Sequence, residues 1–184
     1  YVFYPNSDTD KTAVEWTVDD LNVAEVATTT DANGKVSGTV KAKAAGVAVV
    51  KLQVVGKTEV NAAFRLIVRP TNEPKNCKAD ATYNSVSLSW SPVADANGYT
   101  ITRKVEGSDT EQTIAHVDGT DTVSYKDTAA QTGISYIYHV YAYTKYTNNG
   151  QTDYANTDAY ASVKATPQLG KAAMTSVTAE GYSS

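Results

Sequence analysis

The stretch Tyr136-Ile137-Tyr138-His139-Val140-Tyr141-Ala142-Tyr143 decides the fold class. Tyrosine and valine favour extended backbone, and in a strand alternate side chains point to opposite faces. Tyr136, Tyr138, Val140 and Ala142 therefore share one face, suited to a core. Ile137, His139, Tyr141 and Tyr143 share the other, with Tyr146 just beyond. Working outward, the same period of two recurs. Val86, Leu88 and Trp90 alternate with serines, and Tyr99 with Ile101. Further back, Val14, Trp16 and Val18 alternate with Glu15 and Thr17, and Val40 and Ala42 with Lys41 and Lys43. Ala48, Val50, Leu52 and Val54 alternate with Lys51 and Gln53, and Phe64, Leu66 and Val68 repeat the pattern. Such alternation predicts half-buried strands, and no window has helical periodicity. Asn33-Gly34, Asn97-Gly98 and Asn149-Gly150 supply the positive φ that tight hairpin turns need. Short strands at regular spacing predict an all-β protein of β-sandwiches.

Arg69-Pro70-Thr71-Asn72-Glu73-Pro74 interrupts this pattern. Two prolines so close cannot sit in a central strand and stiffen the chain. The expected division is a first module over 1–69, a proline-containing linker over 70–74, and a second module over 75–168 that ends near Pro167.

Residues 74–168 resemble a fibronectin type III domain. The resemblance rests on Val86-x-Leu88-x-Trp90 as second strand and Tyr99-x-Ile101 as third. Val123-x-Tyr125, ended by Asp127, is the fifth, and Tyr136-x-Tyr138-x-Val140-x-Ala142 the sixth. It implies that Trp90, Tyr99, Tyr136 and Tyr138 are core residues. It also implies that Tyr136 is a corner tyrosine, its hydroxyl bonded to backbone a few residues upstream. Residues 1–69 resemble a bacterial immunoglobulin-like domain of group 2. The carrying residues are Trp16, Val23-Ala24-Glu25-Val26, Gly34-Lys35-Val36 and Ala45-Gly46-Val47-Ala48-Val49-Val50. This resemblance implies that Trp16 is a core residue and that the module lacks its first strand. Val177-Thr178-Ala179-Glu180 before Tyr182-Ser183-Ser184 parallels Cys77-Lys78-Ala79-Asp80 before Tyr83-Asn84-Ser85, so residues 169–184 read as the start of a further fibronectin type III-like module. The two resemblances together imply tandem immunoglobulin-like β-sandwiches from a modular bacterial surface protein.

Composition narrows the function. A net charge of -4, with no basic stripe, argues against a nucleic-acid partner. No apolar run approaches the roughly 20 residues of a membrane span, and no signal peptide is visible. The single cysteine, Cys77, cannot form an internal disulfide, and there is no Asn-x-Ser/Thr acceptor. Both features favour a bacterial over an animal extracellular protein. There is no Gly-x-Ser-x-Gly elbow and no phosphate-cradling loop. The close pairs Asp8/Asp10 and Asp118/Asp121 sit in polar turn sequence, not in the facing arrangement that glycoside hydrolysis needs. His116 and His139 read as surface residues on strands and Cys77 as a half-buried, inert thiol, and the three are too scattered for zinc. Asp118-Gly119-Thr120-Asp121, with Asp95 and Asn97, offers hard oxygens of the kind calcium takes. Turn chemistry accounts for the same residues, so neither metal nor cofactor is expected.

The expectation is a non-catalytic spacer or adhesion segment, extracellular, with neighbouring modules of the same polypeptide as its first partners. The candidate binding surface is the outer tyrosine face: Ile137, His139, Tyr141, Tyr143 and Tyr146. A row of exposed aromatics can stack on sugar rings or anchor a protein interface, so a glycan or a host surface protein is the candidate ligand. The alternative is an accessory, carbohydrate-binding module of a large extracellular carbohydrate-active enzyme.

Overall fold

The computed structural model describes residues 13–169 and, at residues 58–60, the backbone alone. The continuation read into 170–184 and the carboxylates Asp8 and Asp10 lie outside the described residues. Within them every regular element is a strand, and the protein is all-β.

The first group comprises β1 (Val14–Val18), β2 (Ala24–Thr30), β3 (Val36–Ala42), β4 (Gly46–Val54) and β5 (Lys57–Val68). β4 pairs antiparallel with β1 and β5, and β2 pairs with β3. Register places Val18 opposite Val50 and Trp16 opposite Leu52, so the apolar positions of neighbouring strands share one face. Ala48, Val50 and Leu52 are buried, as their alternation requires. The indole of Trp16 lies so close to β3 that a Cβ at Gly38 would fall 2.6 Å from it. Two inward positions are less enclosed than the alternation implies. Trp16 is half-buried, and Phe64 is 41% exposed although it lies opposite the buried Val50. Among the described residues the facing sheet has two strands, too few to cover the full width of β1-β4-β5.

The second group comprises β6 (Lys75–Ala81), β7 (Val86–Ser91), β8 (Gly98–Val105), β9 (Gln112–Asp118), β10 (Ser124–Asp127), β11 (Tyr136–Asn148), β12 (Gln151–Asn156) and β13 (Ala161–Ala165). One sheet runs β10-β7-β6. The other runs β12-β11-β8-β9, with β13 pairing the part of β11 that β12 leaves free. Val86, Leu88, Trp90, Tyr99, Ile101, Tyr136, Tyr138 and Val140 form the core between the sheets. Trp90 meets Tyr99 edge-on at 5.2 Å. The Tyr136 hydroxyl accepts a hydrogen bond from the Gln131 backbone N–H at 3.2 Å, the bond the corner-tyrosine reading expects. Asp127, at the end of β10, ties the sheets together: it accepts from Tyr138 Oη at 2.9 Å and from Arg103 at 2.7 Å. Burial and this carboxylate push the Tyr138 hydroxyl far above the ordinary tyrosine range.

The hairpin β11–β12 turns on Asn149-Gly150, with φ of 49° and 78°, the primed geometry in which a two-residue loop matches strand twist. Asn97-Gly98 is a correction to the sequence reading. It forms no hairpin: Gly98 opens β8 as ordinary extended backbone. Glycine is needed there for space, because a Cβ would lie 2.1 Å from the Val117 carbonyl oxygen and 2.5 Å from the Tyr143 hydroxyl. Cys77 is half-buried on β6, and burial pushes its thiol up to about 11.

Candidate functional site

The outer face of the β9-β8-β11 sheet carries the residues singled out from sequence. Along β11, Ile137, His139, Tyr141 and Tyr143 lie opposite Lys104, Thr102, Thr100 and Gly98 of β8. On the other side, Ile137 meets Lys164 and His139 meets Ser162 of β13, while Tyr143 meets Asn156 of β12. The predicted parity holds, but the face is not an open row of aromatics. Tyr143 is fully buried and His139 is 7% exposed; Ile137, Tyr141 and Tyr146 are partly covered. The rings are covered because they sit in two local clusters.

In the first cluster His139 Nδ1 lies 2.8 Å from Glu111 Oε1, and the same oxygen accepts from the Thr102 hydroxyl. Tyr160, in the crossing from β12 to β13, lies over the His139 ring at 4.2 Å and beside Tyr141 at 4.9 Å. Tyr160 itself remains 44% exposed. Burial raises the Glu111 carboxyl, but the bonds from Thr102 and His139 and the charges of His139 and Lys104 outweigh it, holding Glu111 below its ordinary value.

In the second cluster His116 stacks on Tyr154 at 3.8 Å and 4°, and meets Tyr143 edge-on. Thr100 donates to Asn156 Oδ1 at 2.7 Å and lies 3.0 Å from His116 Nδ1. Burial lowers the His116 pKa, partly offset by Asp118. The Tyr143 hydroxyl, in the space left by Gly98, donates to Asp118 at 2.6 Å. Burial and that carboxylate push Tyr143 far above the ordinary range. Lys145 completes the group at 2.7 Å from Asp118 and is the main reason that carboxyl is held low. Asp118, one of the candidate calcium ligands, is thus already served by an ammonium and a phenol. Among the described residues no three His, Cys, Asp or Glu side chains converge as metal ligands. His116 is exposed, as read from sequence, whereas His139 is not, because Tyr160 covers it.

Sequence reasoning missed Glu111, Tyr154 and Tyr160. Tyr154 and Tyr160 reach this face because β12 and β13 pair successive parts of β11, which the sequence signals only as a long Tyr-containing segment after Asn149-Gly150.

A second feature joins the two strand groups. Among the described residues no strand pairing crosses residues 69–74, yet the far part of β11–β12 grips the end of β5. Thr144, fully buried, donates to the Val68 carbonyl oxygen at 2.7 Å. Arg69 forms a bidentate pair with Asp158, at 2.7 and 3.0 Å, and also donates to the Asn156 carbonyl oxygen at 3.2 Å. Arg65 donates to the Thr147 carbonyl oxygen and lies 5.4 Å above the Tyr146 ring. Pro70 and Pro74, at either side of the connection, are buried.

Known structures of similar proteins include an Fn3-like protein from Clostridium thermocellum, 29% identical, with 55% of this chain and 98% of that chain covered at a TM-score of 0.38. The fn3 domain of the human collagen alpha-1(XX) chain is 16% identical over 58% of this chain and 93% of its own, with a TM-score of 0.41. A computationally redesigned β-sandwich protein is 18% identical over 53% and 96%, with a TM-score of 0.40. No family model and no curated protein matches the chain.

Proposed function

We propose that the chain is a non-catalytic spacer or adhesion segment of a secreted or cell-surface modular bacterial protein. In this reading a group 2 immunoglobulin-like module is followed by a fibronectin type III module. The observation that carries it is the joint. Tandem domains on a short linker ordinarily move relative to one another unless the interface restrains them. Here Thr144, Arg65 and Arg69 bind the end of β5 to the β11–β12 hairpin on several sides of the connection. A restrained joint suits a segment that holds something at a set distance and angle. Three of the chemistry-bearing side chains support a non-catalytic role, because they are tied into the fold: Asp118 to Lys145, His139 to Glu111 and Asp127 to Arg103. The single cysteine, which can form no internal disulfide, and the lack of an Asn-x-Ser/Thr acceptor support the bacterial extracellular setting.

Backbone ¹⁵N relaxation of the full chain tests the reading. Both strand groups are expected to tumble with a common rotational correlation time. An Arg65→Ala/Arg69→Ala double variant is expected to give two different times with both groups still folded. Independent tumbling in the parent protein would remove the spacer role.

A further inference from the structure

Beyond a spacing role, we propose that the outer face of β11 around Tyr160, Tyr141 and Glu111 is a binding site for a neutral polysaccharide chain. The site begins with a ring that is both exposed and fixed. Tyr160 offers 44% of its surface to solvent, yet its ring lies against His139 at 4.2 Å and beside Tyr141 at 4.9 Å. His139 is immobilised in turn by Glu111, and Glu111 by Thr102. A platform already ordered loses little freedom when a ligand settles on it, and that ordering cost otherwise subtracts from affinity.

The surroundings select the ligand. Both contacts to Glu111 fall on Oε1, so Oε2 is placed to accept from ligand hydroxyls. Ser162, exposed and opposite His139 in register, adds a hydroxyl on the other flank, and Lys104 and Lys164 add ammonium donors one row away. A pyranose has one face of C–H groups and an equatorial rim of hydroxyls. It matches an aromatic surface bordered by a carboxylate and hydrogen-bond donors. A protein partner fits less well. A specific protein interface covers about 800 Å² per partner around a desolvated apolar centre. Tyr160 is the one large exposed apolar side chain on this face among the described residues; the others, such as Leu21, Val55 and Tyr83, lie elsewhere. Lys164 pairs with Glu106, and the charge of Lys104 acts on Glu111, so the face carries no strong net charge, which points to an uncharged chain.

Calorimetric titration of the full chain with cellohexaose, xylohexaose, mannohexaose and chitohexaose tests the site. At least one is expected to bind. Tyr160→Ala is expected to weaken that ligand by about tenfold, the worth of one ring contact, and Glu111→Gln to weaken it independently. Tyr83→Ala, at an exposed tyrosine of the β6–β7 turn, is expected to leave it unchanged. Circular dichroism checks that each variant stays folded. Failure of all four sugars to bind the parent, or binding that survives both Tyr160→Ala and Glu111→Gln, would overturn the proposal and leave the face to a protein partner or to a purely structural role. Either result is independent of the relaxation experiment, which reads the joint and not this face.

Discussion

Trp90 combines two effects of opposite sign. Its ring is 5% exposed and meets Tyr99 edge-on, so it contributes a large apolar contact at the centre of the second sandwich. Its indole N–H, however, has no hydrogen-bond partner among the described residues. An orphaned buried donor costs about 1–3 kcal/mol, so the residue must stabilise through packing. Two variants separate the effects. Trp90→Ala is expected to cost about 3–5 kcal/mol, through lost burial and the cavity left behind. Trp90→Phe deletes the orphaned donor and keeps most of the ring, so it is expected to cost about 1–2 kcal/mol. Urea denaturation of both variants measures the difference. Equal losses would mean that the N–H is satisfied and contributes to stability. Asp127 shows the opposite arrangement at the far end of the same core: a buried charge on which both Arg103 and Tyr138 converge.

At the scale of the strand, period two told which side chains of β11 share a face but not what covers that face. The inner row was legible from alternation, and Tyr136, Tyr138 and Val140 are all in the core. Alternation alone leaves the outer row open. Covering it depends on which edge of β11 the chain takes after Asn149-Gly150. Both β12 and β13 return to that edge and carry Tyr154 and Tyr160 over His116 and His139, a long-range event that no local pattern encodes. Asn97-Gly98 misled for a related reason. A dipeptide that signals a turn is also a dipeptide without a Cβ, and here the missing atom matters more than the conformational freedom. Gly98→Ala is therefore expected to destabilise by about 1–3 kcal/mol through overpacking. A Tyr143→Phe change in the same chain is expected to recover only part of the loss, because the nearer obstacle is the backbone carbonyl of Val117. Thermal denaturation of the single and double variants checks this, and full recovery would show that the tyrosine hydroxyl alone sets the space.

For the whole molecule, the joint between the two sandwiches uses bonds of different kinds, and they should respond differently to salt. The Arg69–Asp158 pair is well formed but open to solvent, its side chains 47% and 85% exposed. Exposed pairs contribute about 0.2–1 kcal/mol and are screened by salt. Thr144 is completely buried, and its bond to the Val68 carbonyl oxygen is neutral. Such a bond is worth about 1 kcal/mol, with no charge for salt to screen. Together these couplings are small beside the 5–15 kcal/mol typical of a domain. The joint can therefore set the angle between the sandwiches without fusing their unfolding into a single step. Thr144→Val, which keeps shape and removes the hydroxyl, is expected to lower stability about equally in dilute buffer and at about 1 M salt. Asp158→Ala is expected to lower it only in dilute buffer, its effect vanishing where the Debye length falls to about 3 Å. Denaturation curves of both variants at the two salt concentrations make the comparison. If the Asp158→Ala loss persists at high salt, the bidentate pair acts through geometry, not charge, and Arg69 is then the residue that fixes the angle. If Thr144→Val has no effect at either salt, the hairpin does not hold β5 in solution, and the rigid-spacer reading falls with it.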